Sequence, residues 1–366
     1  MASERTASIA DLLLDSLPRS PAAYPQKLDL IRDAALVVQF DAGAYRRASF
    51  LDDRILAHDT QGAWLPLDAV HEAARRAASL RPLHFIFHTG HVGSTLVSRL
   101  LDEVEGVLPL REPMPLRTLA DAHDDLGRPE SLLSRDRFDA DLASFLTLWR
   151  RGYDATRSVV LKATSVAGRI AGPVLRISPE SKAIYMNLRA EPYLAALLAG
   201  ENSPLDLRGH GPGRIRRLQA RVAVPLDPIH AMSPGPLAAM SWLAESWAQQ
   251  DALTQHPDRV FALDFDHFLA NVEECLGFAL AHFGLAHDAR QVSALAQSPT
   301  LARYAKAPEY AYSPADRAAI LDRSRRANRE EIGKGMAWLD RLAQSDGGVA
   351  GLMNRAEHRH ASSMVF

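Results

Sequence analysis

A chain of 366 residues can bury a large core, and its 47% hydrophobic and 23% charged residues are ordinary globular composition, which excludes disorder as the overall state. The formal net charge of −2 offers no global attraction to nucleic acid or to an anionic membrane, so a basic site must be local and no nucleic-acid partner is expected. A single cysteine, Cys275, excludes an internal disulfide, a cysteine-based zinc site and a thiol redox pair.

The N-terminus carries Glu4, Asp11 and Asp15 around a short Leu12–Leu14 run, and lacks the basic start and long apolar core of a signal peptide. No apolar run approaches the roughly 18 to 20 residues that span a bilayer, so the expectation is a cytoplasmic chain with no transmembrane segment. Residues 1–80 read as an N-terminal accessory region. It holds a helix near Ile9–Leu17, a Pro-rich break, a strand-like Ala35–Phe40, a second apolar stretch Ser49–Leu56 and a helix from about Leu67 to Ser79.

Residues 81–344 carry the pattern of an α/β domain. His84–His88 reads as a short strand, followed by a Gly-bearing turn and a helix with Leu96, Leu100, Leu101 and Val104 on one face. Val107–Leu110, Ser158–Leu161, Lys182–Leu188 and Arg259–Phe265 are further strands, separated by segments long enough for crossover helices. The spacing predicts an open parallel sheet with helices on both faces. The stretch 202–236, rich in Gly, Pro and Arg, predicts a long mobile surface loop, and 345–366 a flexible polar tail.

Residues His88-Thr89-Gly90-His91-Val92-Gly93-Ser94-Thr95 join the first strand of that domain to its helix, so the backbone N–H groups of Gly90, His91, Val92, Gly93, Ser94 and Thr95 would converge on one spot. Gly90 and Gly93 permit close backbone approach, and Ser94 and Thr95 supply hydroxyls that donate or cap. Against the nucleotide-hydrolase pattern GxxxxGK[ST], His88 stands at the first Gly position and Ser94 at the Lys position. Without that lysine, and with no acidic Mg²⁺ ligand ending the neighbouring strand, ATP or GTP chemistry loses two usual sources of charge compensation. The turn taken alone is equally compatible with a plain helix cap.

The segment Phe85–Leu101, FIFHTGHVGSTLVSRLL, resembles the donor-binding loop of sulfotransferases that use 3′-phosphoadenosine 5′-phosphosulfate (PAPS), usually of the type PRSGTTL, with His91 at the basic position. Ala183–Leu198, AIYMNLRAEPYLAALL, resembles the family's strand-turn-helix with an Arg-Asp-Pro type motif, here Arg189-Ala190-Glu191-Pro192. The serine that usually follows falls at or near Leu197. Val159–Thr164 resembles the lysine-bearing strand end of the family, and Phe261–Leu285 its late strand, acidic turn and Phe-Gly-Leu helix end. The glycine-lysine motif of cytosolic aryl sulfotransferases is not evident, so the likeness is to the broad bacterial branch, and the fold it implies is the P-loop NTPase-like sulfotransferase fold.

That resemblance implies a metal-free, in-line transfer of a sulfuryl group from PAPS to a hydroxyl or amine of a small-molecule, lipid, saccharide or peptide acceptor. The turn 90–95 would hold the 5′-phosphosulfate and Arg189 the 3′-phosphate, a task suited to a guanidinium fork. Lys162 would neutralise the leaving group. Glu112, expected to emerge with Arg111 at the sheet edge that carries the turn, is the first choice as general base, with His91 or His88 as alternatives. Arg208–Arg217, RGHGPGRIRR, would close over the anionic donor, with Arg214, Arg216 and Arg217 as candidates and Arg214 as the donor contact. Arg99 reads as a surface helix residue, Trp242 and Trp247 as packing, Asp264 and Asp266 as structural, and His358-Arg359-His360 as too short for a metal site. A nucleotide kinase or hydrolase using the same turn, or a non-catalytic nucleotide-binding member of the fold, are the competing readings.

Overall fold

The computed structural model describes residues 7–361, with the side chains of 359–361 left out of the description. Its strands form two sheets. β1 (Ala23–Asp29), β2 (Ala34–Gln39) and β3 (Gly62–Pro66) make a small antiparallel sheet in that order. The β1–β2 turn closes because the Asp29 carboxylate accepts from the Ile31 and Arg32 N–H groups at 3.0 and 2.9 Å. β1 and β3 were absent from the sequence reading. β1 contains Pro25, which cannot donate to a ladder, and the register shifts beside it.

The larger sheet contains β4 (Leu83–His88), β5 (Val107–Arg111), β6 (Ser158–Lys162), β7 (Ala183–Asn187) and β8 (Val260–Asp264), in the order β5-β6-β4-β7-β8. It is parallel and flanked by helices, as the spacing predicts. Strands β4 to β7 are buried along their whole length, which explains why they read as continuous apolar runs rather than as alternating ones. From β4 the chain crosses to β5 on one side, and the later crossovers lead to β7 and β8 on the other. The C-terminal end of β4 is therefore the point where the winding reverses, the place where open α/β sheets bind ligands.

The chain divides into two compact units, 1–86 with 97–182 and 87–96 with 183–366. In the first, the segment 17–23 is tied in by Arg151, which is 2% exposed and donates to the carbonyls of Leu17, Ser20, Ala23 and Leu148. In the second, the helices Pro234–Gln255 and Arg329–Ser345 cross with backbones touching. A Cβ on Gly235 would lie 1.8 Å from the Glu331 carbonyl oxygen.

Two expectations are corrected here. The supposed mobile loop 202–236 contains a helix, Ser203–Gln219, whose buried residues Leu207, Gly211, Arg214 and Leu218 form one stripe. Pro204 in its first turn, Asp206 near its start and Arg216 and Arg217 near its end all favour that helix, and they offset Gly209, Gly211, Pro212 and Gly213. The supposed flexible tail is helical from Gly347 to Ala361, seated by buried Val349, Leu352 and Ala356; residues 362–366 lie outside the described residues. No described helix is long and apolar enough to cross a membrane.

Candidate functional site

In the second unit, the loop after β4 takes up left-handed conformations at Gly90 (φ 101°), His91 (φ 54°) and Gly93 (φ 68°) before the helix Ser94–Asp102 begins. Alternation of this kind turns successive amides inward. Thr89 N–H donates to the Met186 carbonyl at 3.0 Å and Gly90 N–H to His88 Nδ1 at 3.1 Å. The five amides that follow, 91 to 95, have no hydrogen-bond acceptor among the described residues. The Ser94 and Thr95 side chains are buried beside them. Such a run of donors at a helix start is an anion cradle.

Three contacts fix the cradle. Because Nδ1 of His88 accepts, the ring carries its proton on Nε2 when neutral, which makes His88 a support for the loop. The Tyr193 hydroxyl lies 3.2 Å from the Thr89 carbonyl and 3.0 Å from Ser241 Oγ, bracing the loop from the helix Ala190–Leu198. A Cβ on Gly93 would lie 2.0 Å from Phe265 Cε2, so that position needs glycine for both its backbone angle and its space.

His91 is exposed by surface area yet closely crowded by protein. That crowding, reinforced by the Lys306 ammonium and the Arg214 guanidinium and opposed by Asp206, lowers its pKa to about 4. The ring is neutral at pH 7 and offers one N–H instead of a full charge. Arg214, expected on a mobile loop, instead sits on the buried stripe of its helix at 5% exposure. It lies 3.8 Å from both Glu245 and Asp206, and its Nε and Nη1 have no hydrogen-bond partner among the described residues. Arg217 takes Glu245 at 3.1 Å, and Arg216 lies on the same helix.

Arg189 stands at the N-cap position of the helix Ala190–Leu198 just past β7, and its side chain makes no capping bond. Its Nη1 donates to Glu357 Oε2 at 3.3 Å, while its buried Nε–H has no partner among the described residues. Leu197 is buried apolar packing on that helix, so no serine hydroxyl stands at its position. Asp264 caps the helix Phe265–Ala270 through the His267 N–H at 3.0 Å, and Asp266 faces Arg317 at 2.7 Å; both are structural, as the sequence suggests.

In the first unit, Lys162 ends β6 and is 1% exposed, not a solvated strand-end lysine. Its ammonium is hydrogen-bonded to Glu112, and it lies 5.6 Å from the centre of the Phe50 ring. Glu112 is held by its own N–H on the Lys162 carbonyl at 2.7 Å and adopts φ 58°, a conformation unusual for glutamate and costing on the order of 1 kcal/mol. Arg111 does not emerge beside Glu112. It turns into the interior, donating to the carbonyls of Tyr45, Arg46 and Ala48, to Ser98 Oγ and to Asp102. Those carbonyls come from a segment more than sixty residues earlier, which local sequence cannot reveal. Arg99 is likewise engaged, donating to Ser49 Oγ at 2.7 Å.

Sequence reasoning missed Tyr193, Phe265 and Phe50 as supports and Glu357 as a partner. Tyr193 carried a usable signal: it is the one hydroxyl on an otherwise apolar helix face, and a buried tyrosine needs a partner for its polar tip. Gly93 and Phe265 meet only through the fold, and no pattern in one sequence joins them.

No protein-family profile and no curated protein sequence matches the chain. Among solved structures it is similar to the sulfotransferase domain of the curacin biosynthetic pathway, at 12% identity and TM-score 0.40 over 64% of this chain and 85% of that one. It is also similar to a sulfotransferase from Alicyclobacillus acidocaldarius (16%, 0.38, 73% and 97%) and to a mouse sulfotransferase complexed with PAP (9%, 0.40, 81% and 98%).

Proposed function

We propose that this chain is a PAPS-dependent sulfotransferase of the bacterial type, acting in the cytoplasm on a hydroxyl or amine of a small-molecule, lipid, saccharide or peptide acceptor. The observation that carries the reading is the cradle of five unpaired amides at 91–95, with two buried hydroxyls and no lysine. It suits an anion bound by fixed dipoles in preference to a triphosphate that needs a lysine and a metal for charge compensation. Arg189, with an unpartnered buried Nε–H beyond the next strand of the unit, is the donor for a second phosphate.

In this reading the S–O bond to the donor phosphate breaks as a new S–O bond forms to an acceptor hydroxyl, or an S–N bond to an acceptor amine, leaving adenosine 3′,5′-bisphosphate. Lys162 supplies positive charge to the leaving phosphate, and Glu112 takes the acceptor's proton. The strained backbone of Glu112 supports a functional role, since such conformations concentrate at working sites. His91 and Arg214 add donors on the cradle side, His91 through one neutral N–H.

Calorimetric titration with adenosine 3′,5′-bisphosphate, set beside ATP with and without Mg²⁺, tests the reading. The expected result is micromolar bisphosphate binding that weakens sharply in Arg189→Ala. Preference for ATP with Mg²⁺ would transfer the chain to the kinase class, and binding of neither would leave a non-catalytic module.

A further inference from the structure

Arg189 is ion-paired with a carboxylate of the chain's own C-terminal helix. Glu357, on the C-terminal helix Gly347–Ala361, places Oε2 3.3 Å from its Nη1. The helix is anchored by Val349, Leu352 and Ala356, so the carboxylate is presented by packed structure and not by a loose end. The Glu357 side chain itself is 63% exposed, and Arg189 is 31% exposed. A rotation toward water is enough to release the pair. The Arg189 Nε–H, on another edge of the same guanidinium, has no partner among the described residues. One guanidinium therefore has two carboxylate- or phosphate-binding edges, of which one is occupied.

We infer that Glu357 is a specificity-determining residue for the 3′-phosphate of the nucleotide, an inference that rests on the donor role given above to Arg189. A 3′-phosphate that approaches Arg189 must displace Glu357 or sit beside its like charge. A nucleotide with a bare 3′-hydroxyl leaves the ion pair intact. Glu357 thus narrows the preference for 3′-phosphorylated nucleotides, and it acts on that phosphate alone. The cradle at 91–95, which takes the 5′ group, is untouched by it.

The test is titration of the full-length protein and its Glu357→Gln and Arg189→Ala variants with adenosine 3′,5′-bisphosphate and with adenosine 5′-monophosphate. Glu357→Gln should tighten the bisphosphate about three- to tenfold, the range expected for a partly exposed ion pair plus removal of a like charge, while the monophosphate changes less than about twofold. In Arg189→Ala, with or without Glu357→Gln, the preference between the two nucleotides should collapse. An unchanged affinity ratio in Glu357→Gln overturns the inference, and so does a parallel gain for both nucleotides, which would mark a general charge effect. Wild-type protein that binds neither nucleotide would instead overturn the donor reading on which it rests. A matching thermal midpoint for Glu357→Gln and wild type confirms that the C-terminal helix is still seated.

Discussion

Two strand ends in this protein read almost alike and are built on opposite plans. Arg111 ends β5 and runs into Glu112-Pro113, and Arg189-Ala190-Glu191-Pro192 lies just past β7, each at the end of a strand buried along its length. Arg111 spends its donors on three carbonyls, a hydroxyl and a carboxylate and is 1% exposed. Arg189 holds one carboxylate at the surface and keeps a buried N–H unspent among the described residues. A fully satisfied guanidinium is mortar, whereas an unsatisfied one has been kept for something else. What separates the two is what reaches them from far along the chain: segment 45–48 brings three carbonyls to Arg111, and the helix Gly347–Ala361 brings one carboxylate to Arg189.

The contrast can be broken most forcefully at Arg111. Arg111→Leu strands three carbonyls in the interior, leaves Asp102 with Arg46 alone, and should lower unfolding stability in urea by about 3–5 kcal/mol. Arg189→Leu should cost less than about 1 kcal/mol. Equal losses would erase the distinction. The next largest effect belongs to Gly93, whose replacement by alanine adds a strained φ to a collision with Phe265. A loss of about 2–4 kcal/mol is expected, together with adenosine 3′,5′-bisphosphate binding too weak for calorimetry. Shrinking Phe265 to valine in the same chain should recover part of the stability. Recovery of none would show that the backbone angle, not the ring, sets the requirement.

The smallest effect is electrostatic and concerns His91. Its folded pKa is depressed to about 4, so as pH falls the unfolded chain takes up a proton first, below its ordinary value of 6.5. The stability His91 contributes is complete above about pH 6.5 and drains away toward pH 4. An NMR titration of the ring should give a midpoint near 4 that rises when adenosine 3′,5′-bisphosphate is added, because a nearby anion favours the imidazolium. A midpoint at 6.5 in the free protein would mean that the ring is open to water and uncrowded.

The sequence made the larger sheet legible because strands buried on both faces write themselves as apolar runs; all five lie within a residue or so of where the runs place them. The cradle was legible too, since its glycines and hydroxyls are contiguous. The helix Ser203–Gln219 was hidden by its glycines and Pro212. Its register is visible only once Leu207, Gly211, Arg214 and Leu218 are seen to share a buried stripe. The supports around the charged groups were the least legible part. Lys162 with Glu112 and Phe50, Gly93 with Phe265, and Arg189 with Glu357 are pairings of residues distant in sequence. A single chain carries the parts of such pairings without recording which part meets which.

The placement of Arg151 has a practical corollary for anyone trimming this protein. Burial pulls its guanidinium down to about 10, and three of the four carbonyls that make the position tolerable belong to residues 17, 20 and 23. A fragment beginning at residue 81, which the α/β pattern invites, would leave a cation facing a freshly exposed oily cavity with one carbonyl for company. Such a fragment should be recovered as insoluble material, and pairing the truncation with Arg151→Met should improve its yield.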